Sequence, residues 1–302
     1  MSELKKIDGL EYPSGLEEIS GKILSPILNN TPPIITKKVM SYIGLSELKK
    51  FNENNFAGSY KSIQEIYADK NNLSLGERIY FNSKPAKAIR NRLKLLKPIL
   101  KDMLVNEYNG KKVNILDLGA GNERLCLEVL SDLKRDGFDY DNVSIIAVDG
   151  NEDAAYDGKD IADNHNLEDR IVFITDKINF NNPVDLQKFY EKATKKFGQP
   201  IENHNLSISV GLAEYLEEGE SDCTQKINLY TSLYNNQENG AIITSYPKEH
   251  NLVKVCERVL NWKVNYRDEK EICDILSNVG YNNIETIPEP MKLQYIFTGW
   301  KK

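Results

Sequence analysis

From residue 113 onward, short runs that are apolar on both faces alternate with amphipathic stretches. The runs fall at 113–118, 143–148, 170–175, 206–210 and 241–246. Helical patterns separate them at 122–134, 152–165, 184–197 and 224–234, with further helical pieces at 252–260 and 269–279. A strand apolar on both faces must be covered on both. Helical crossovers between such strands therefore give a parallel sheet with helices on each side. Two last runs, 283–287 and 293–300, flank a turn at Pro288-Glu289-Pro290 and read as an antiparallel hairpin closing one edge. The pattern predicts an α/β fold built on a seven-stranded, mostly parallel sheet.

The first 110 residues differ. Pro, Gly and Asn punctuate apolar residues at helical spacing: Leu16, Ile19, Ile23 and Leu24, then Val39, Ile43 and Leu48. A longer amphipathic stretch covers 86–105, with Ile89, Leu93, Leu96, Ile99, Leu100 and Leu104 as its stripe. Pro98 inside it is expected to kink or divide the helix. The expected domains are an N-terminal helical cap and substrate region, 1–110, and a ligand-binding domain, 111–302.

Composition narrows the function classes. The 39 basic and 45 acidic residues give a net charge of −6, which argues against a nucleic acid partner held by the whole surface. No run approaches the ~20 apolar residues of a membrane span. The charged N-terminus lacks the apolar core of a signal peptide. Cys126, Cys223, Cys256 and Cys273, and His165, His204 and His250, share no metal-ligand spacing. Reduced thiols, a cytoplasmic location and no metal are expected.

The segment Ile115-Leu116-Asp117-Leu118-Gly119-Ala120-Gly121-Asn122-Glu123-Arg124 carries the chemistry. A strand ends, two glycines turn the backbone sharply, and a helix begins with its N–H groups facing a ligand. A dinucleotide loop would carry a third glycine where Arg124 stands. Asp117 would repel a pyrophosphate but favour a ligand with an amino group. That fits an amino-acid-bearing nucleoside better than a dinucleotide. Asp149 ends the next strand, where a carboxylate can accept both ribose hydroxyls. Asp176 follows the third strand and can accept from an adenine amino group. Gly211, Glu214 and Tyr215 follow the fourth, in a small-residue loop. All four segments sit at strand carboxyl ends, where open α/β sheets place ligands.

These residues resemble the class I S-adenosylmethionine-dependent methyltransferases over 113–302. The resemblance rests on Asp117-Leu118-Gly119-Ala120-Gly121, Asp149, Asp176 and the closing strand pair. It implies a Rossmann-like sheet and S-adenosyl-L-methionine as cofactor. Gly119 and Gly121 would meet its methionine part, Asp149 the ribose and Asp176 the adenine, with Asp117, Ala120, Gly150 and Gly211 completing the site. The family's loop often continues to a third glycine, where this chain has Asn122-Glu123. Three shorter blocks, at 88–92, 209–216 and 260–267, resemble a bacterial methyltransferase group that includes enzymes proposed to make hydroxy fatty acid methyl esters.

The expected activity is methyl transfer to a small-molecule acceptor, a carboxylate or a hydroxyl. Arg90, Arg92 and Tyr266 are candidate substrate contacts, because Arg can grip a carboxylate in bidentate fashion. The bland reading of the basic run around them is a solvated helix face. A hydroxyl acceptor benefits from a general base, for which Glu214, Tyr215 and His250 are candidates. The alternatives are an RNA or protein methyltransferase, another S-adenosylmethionine-using transferase, and a non-catalytic binder of that cofactor.

Overall fold

In the computed structural model, the described residues are 7–14, 26, 29–32, 34–35, 60–68, 78, 81–216, 223–250, 253–254, 257 and 262–301. The expected helical residues from Leu16 to Leu48, most of the piece expected at 252–260, and Cys256 lie outside them. The chain divides into two compact units. One holds residues 1–94, 247–264 and 288–294; the other holds 95–246, 265–287 and 295–302.

The described helices open with α1 (Tyr60–Tyr67) and α2 (Lys84–Asp102). Helix α2 is not divided at Pro98. Its end passes into a π-turn at Met103–Glu107, where the Tyr108 N–H reaches back to the Met103 carbonyl. In the first unit, Ile66, Phe81, Ala86 and Ile89 form a small core, and Trp262 packs against it. The buried Glu289 carboxylate accepts the N–H groups of Met291 at 2.6 Å, Leu293 at 2.7 Å and Gln294 at 3.2 Å. It thereby organises its own loop, with Asn91 Nδ2 also donating to it at 3.2 Å.

The second unit holds the sheet. Its elements are β1 (Val113–Leu118), α3 (Arg124–Arg135), β2 (Val143–Val148), α4 (Glu152–His165), β3 (Ile171–Ile174), α5 (Gln187–Phe197), β4 (His204–Ser209), α6 (Thr224–Asn236), β5 (Gln237–Pro247), α7 (Glu269–Val279), β6 (Asn282–Pro288) and β7 (Gln294–Lys301). The strand order is β3-β2-β1-β4-β5-β7-β6. The first five strands pair in parallel, and the last two close the sheet antiparallel. Every residue of β1 and β2 is buried, as their two-faced apolarity requires. The core gathers Leu116, Val148, Phe189, Tyr230, Ile242 and Phe297 from sheet and helices.

Two features fix β4 against β5. The register shifts between His204 and Leu206: Asn205 alone faces Glu238, Asn239 and Gly240, so β5 carries the bulge. A Cβ on Gly240 would stand 1.8 Å from the Asn205 carbonyl oxygen, so only glycine fits there. The Tyr108 hydroxyl bridges the gap, donating to Asn205 O at 2.7 Å and accepting from the Ala241 N–H at 2.9 Å. Below lies a buried chain in which His204 joins the Tyr190 hydroxyl and Ser207 Oγ, each at 2.7 Å.

Candidate functional site

The strand order reverses direction beside β1: the chain builds β1, β2 and β3 outward, then returns to lay β4 on the other side. A crevice opens at such a point, over the carboxyl ends of the strands. The glycine loop rises there from the end of β1. Gly119 and Gly121 adopt φ of +79° and +56°, a region that side chains with a Cβ resist.

The loop hangs from β2. The Gly119 and Ala120 N–H groups donate to the Val148 carbonyl at 2.8 and 3.2 Å. The Gly121 N–H donates to Asp149 Oδ2 at 2.8 Å, and the Asn151 N–H to Asp149 Oδ1 at 2.9 Å. Three successive loop amides are thus already engaged. They do not form the open nest of N–H groups that grips a phosphate. Asp149 stands at the loop's edge with lone pairs to spare, and Gly150 turns the chain away from it.

Beneath the loop the charge is acidic. Asp117 is 5% exposed and Glu123 1%. Their carboxylate oxygens and the Cys126 sulfur lie within 4.8 Å of one another. Burial pushes the Asp117 carboxyl well above its ordinary range, and the charges of Glu123 and Asp149 push it further. Burial raises Glu123 to about 7. The Cys126 thiol and backbone N–H and the Asp117 carboxyl hold Glu123 partly down, yet neither Glu123 oxygen has a well-aligned hydrogen bond. Cys126 itself is pushed up by burial and these acids, so its thiol stays protonated. Glu123 also sits at φ +55°, and helix α3 begins only after it. The helix expected from Asn122 begins two residues later, at Arg124, after this left-handed residue.

The loop after β4 closes on the glycine loop from the other side. Gly211 is at φ +79°, and a Cβ on Gly119 would be 2.8 Å from Leu212 Cβ. Glu214 and Tyr215 lie on a short 3-10 turn, Ala213–Tyr215, with Glu214 buried and Tyr215 half-buried. The Glu214 carbonyl accepts the Asn265 N–H at 2.8 Å, which tethers the segment carrying the half-buried Tyr266.

Asp176 is 2.6 Å from Lys192 Nζ and 3.6 Å from Lys188 Nζ, both on α5. The bond from Lys192 holds its carboxyl below the usual range. Its neighbourhood still adjoins the β2 end: a Cβ on Gly150 would lie 3.9 Å from Lys177 Cγ. In the first unit, Arg90 is engaged bidentately by Glu11 at 2.7 and 2.6 Å, and Lys94 joins the same carboxylate at 3.1 Å. Arg92 is 5% exposed, with Nη1 3.4 Å from Gln294 Oε1. The basic run is therefore neither a plain solvated face nor a row of unengaged guanidinium groups. His250 is lowered to about 4 by burial, so its imidazole is neutral in ordinary buffers.

Two residues of this constellation escaped the sequence reading. Leu212 is an ordinary apolar residue with no spacing signal. Glu123 had one: it stands where the glycine loop would otherwise carry a third glycine, and only a position needing positive φ makes that glycine useful.

No protein-family model matches the sequence, and no curated protein matches it. Solved structures do match. A possible exported protein from Bordetella parapertussis is similar at a TM-score of 0.68 and 16% identity, over 95% of this chain and 94% of that one. A magnesium protoporphyrin IX methyltransferase from Synechocystis PCC 6803 with bound SAH is similar at 0.54 and 11% identity, over 83% and 96%. The CMeT domain of citrinin polyketide synthase follows at 0.51 and 14% identity, over 74% of this chain and 56% of that one. No helix among the described residues is long and apolar enough to cross a membrane. The strand order, the glycine loop after β1 and these likenesses agree: the chain has the fold of the class I S-adenosylmethionine-dependent methyltransferases.

Proposed function

We propose that the chain is an S-adenosylmethionine-dependent methyltransferase acting on a small-molecule acceptor, a carboxylate or a hydroxyl. The observation that carries this reading is the glycine loop with its amides already engaged and its surroundings acidic. A dinucleotide pyrophosphate gains nothing there, because the N–H groups are taken and Asp117, Glu123 and Asp149 repel it. A nucleoside whose amino-acid end carries an ammonium group needs no such phosphate nest and gains from the acidic surroundings.

In this reading Gly119, Ala120 and Gly121 carry the methionine part, Asp149 accepts the ribose hydroxyls and Asp176 meets the adenine edge. Gly150 and Gly211 keep those loops free of side chains where the ligand lies. The bound cofactor supplies a methyl group already activated by the sulfonium charge. The chain's work is then to align the acceptor with that methyl and to exclude water. A carboxylate acceptor needs no base. For a hydroxyl, Glu214 or Tyr215 would take the proton. Arg90, Arg92 and Tyr266, with the region 1–110, are proposed to serve acceptor recognition, Arg90 by exchanging Glu11 for an acceptor carboxylate.

Calorimetric titration with S-adenosylhomocysteine tests the reading. Binding in the micromolar range is expected, with at least about a tenfold loss in Asp149→Ala, the scale of a lost charged hydrogen bond. An unchanged affinity in that variant sinks the ribose assignment. Absence of binding sinks the function.

A further inference from the structure

Within the first unit, residues 7–14 form a strap with no helix or strand, and none of them is buried. Polar contacts at Gly9 and Glu11 hold this strap on α2. Arg90 grips both Glu11 carboxylate oxygens, at 2.7 Å from Nε and 2.6 Å from Nη2, and Lys94 Nζ joins at 3.1 Å. Lys94 Nζ also donates to the Gly9 carbonyl at 2.6 Å. Asn91, 0% exposed, clasps the Glu11 backbone: Oδ1 accepts its N–H at 2.8 Å, and Nδ2 donates to its carbonyl at 2.7 Å. The same Nδ2 reaches the buried Glu289 at 3.2 Å, so Asn91 has an anchor besides the strap.

Arg90 and Lys94 stand one helical turn apart, and like charges at that spacing weaken a helix. Two cations share a single carboxylate here: among the described residues, no other acid pairs with either. The site therefore keeps a net positive charge with Glu11 in place. A bidentate guanidinium with an ammonium beside it suits any small carboxylate. Its present occupant is a partly exposed side chain on a strap that gives up little apolar contact by leaving. We propose that Arg90, Asn91 and Lys94 form a carboxylate-binding site in which Glu11 is a resident stand-in, and that the carboxylate of the methyl acceptor enters by displacing residues 7–14. The proposal rests on the function proposed above and adds to it Lys94, Asn91 and control of the site by the strap. The tethered carboxylate acts at a high effective concentration. An acceptor gains entry only when its carboxylate and the rest of its body together outcompete that tether.

The test uses the full chain and acetate as the probe, with acetamide as its neutral counterpart and sodium chloride at equal ionic strength as the screening control. Nitrogen–proton spectra follow the Arg90 side-chain Nε–H and the Glu11 backbone N–H. In Glu11→Gln the carboxylate stand-in is gone. Acetate should then saturate the Arg90 signal with a Kd of roughly 10 to 100 mM, the range of an exposed single-group contact. Wild type should need at least about tenfold more acetate, because the strap leaves the site open only a small fraction of the time. In wild type, exchange at the Glu11 N–H should quicken as acetate rises, since that amide leaves Asn91 when the strap departs. Acetamide and chloride should do neither. Glu11→Ala repeats the test without a side-chain amide that could linger on Arg90. Adding Arg90→Gln to either variant should abolish the acetate response.

Failure of both Glu11 variants to take up acetate overturns the proposal: Arg90 and Glu11 are then a clasp for residues 7–14 and nothing more. Equal responses to acetate and chloride overturn it as well. Either result leaves the proposed function standing if S-adenosylhomocysteine still binds. Acetate uptake without any S-adenosylhomocysteine binding keeps the carboxylate site and overturns its assignment to a methyl acceptor.

Discussion

Replacing Gly119 by Ala separates two costs that usually arrive together. The first is conformational. Gly119 sits at φ +79°, and so, within three degrees, does Gly137 at +76°. A Cβ in that region costs about 1 to 2 kcal/mol. The second is steric. A Cβ on Gly119 would meet Leu212 Cβ at 2.8 Å and its Cγ and Cδ2 at 3.3 Å, whereas one on Gly137 meets nothing within 4 Å. Leu212 Cβ is fixed to its backbone, so no rotamer clears the contact. Overpacking of this kind costs about 1 to 3 kcal/mol more. Urea unfolding should therefore show Gly137→Ala losing about 1 to 2 kcal/mol and Gly119→Ala roughly 2 to 5. The same substitution also stiffens the unfolded chain, an effect that cancels between the two sites. A double-mutant cycle sharpens the point. Leu212→Gly removes the offending atom and should recover the steric part. Leu212→Ala keeps it and should recover much less. If Gly119→Ala costs no more than Gly137→Ala, or if both Leu212 variants rescue it equally, the close approach of the two loops is not as described.

Two further outcomes follow from buried groups. His204 stays neutral when folded, with burial and the charge of Lys301 lowering it from 6.5 to about 3. The unfolded chain therefore binds more protons below about pH 6.5, so the His204 contribution is whole above that pH and shrinks as pH falls. Between about pH 6.5 and 5, wild type should lose about 2 kcal/mol relative to His204→Asn in urea melts, and parallel pH profiles would refute this. Glu289→Ala leaves three N–H groups without their carboxylate acceptor. It should cost at least about 3 kcal/mol. A loss under about 1 kcal/mol would mean the loop finds other acceptors.

Much of this molecule was legible before any coordinates. The runs 113–118 and 143–148 are apolar on both faces, and they are the strands β1 and β2 residue for residue. The acids at strand ends were legible too, because a sheet of this kind presents the end of each strand to one crevice. What escaped depends on partners distant in the chain. Nothing near Arg90 announces Glu11, 79 residues earlier. β5 starts at Gln237, four residues before its apolar run, because Gln237-Glu238-Asn239-Gly240 reads as a turn. Only the β5 bulge opposite Asn205 turns that glycine into a requirement of the sheet. Glu123 was expected inside the helix, because its left-handed backbone does not show in the sequence.

The glycine loop has one more consequence. Its three amides are anchored to the end of β2 by the fold itself. The loop is therefore shaped before a ligand arrives. Ordering a backbone residue costs about 1 to 2 kcal/mol, and here that entropy is lost during folding rather than at binding. Recognition by this loop is then a matter of fit to a preorganised surface, with an on-rate not gated by loop closure. Amide exchange at 119–121 should already be slow in the free protein and should change little on saturation.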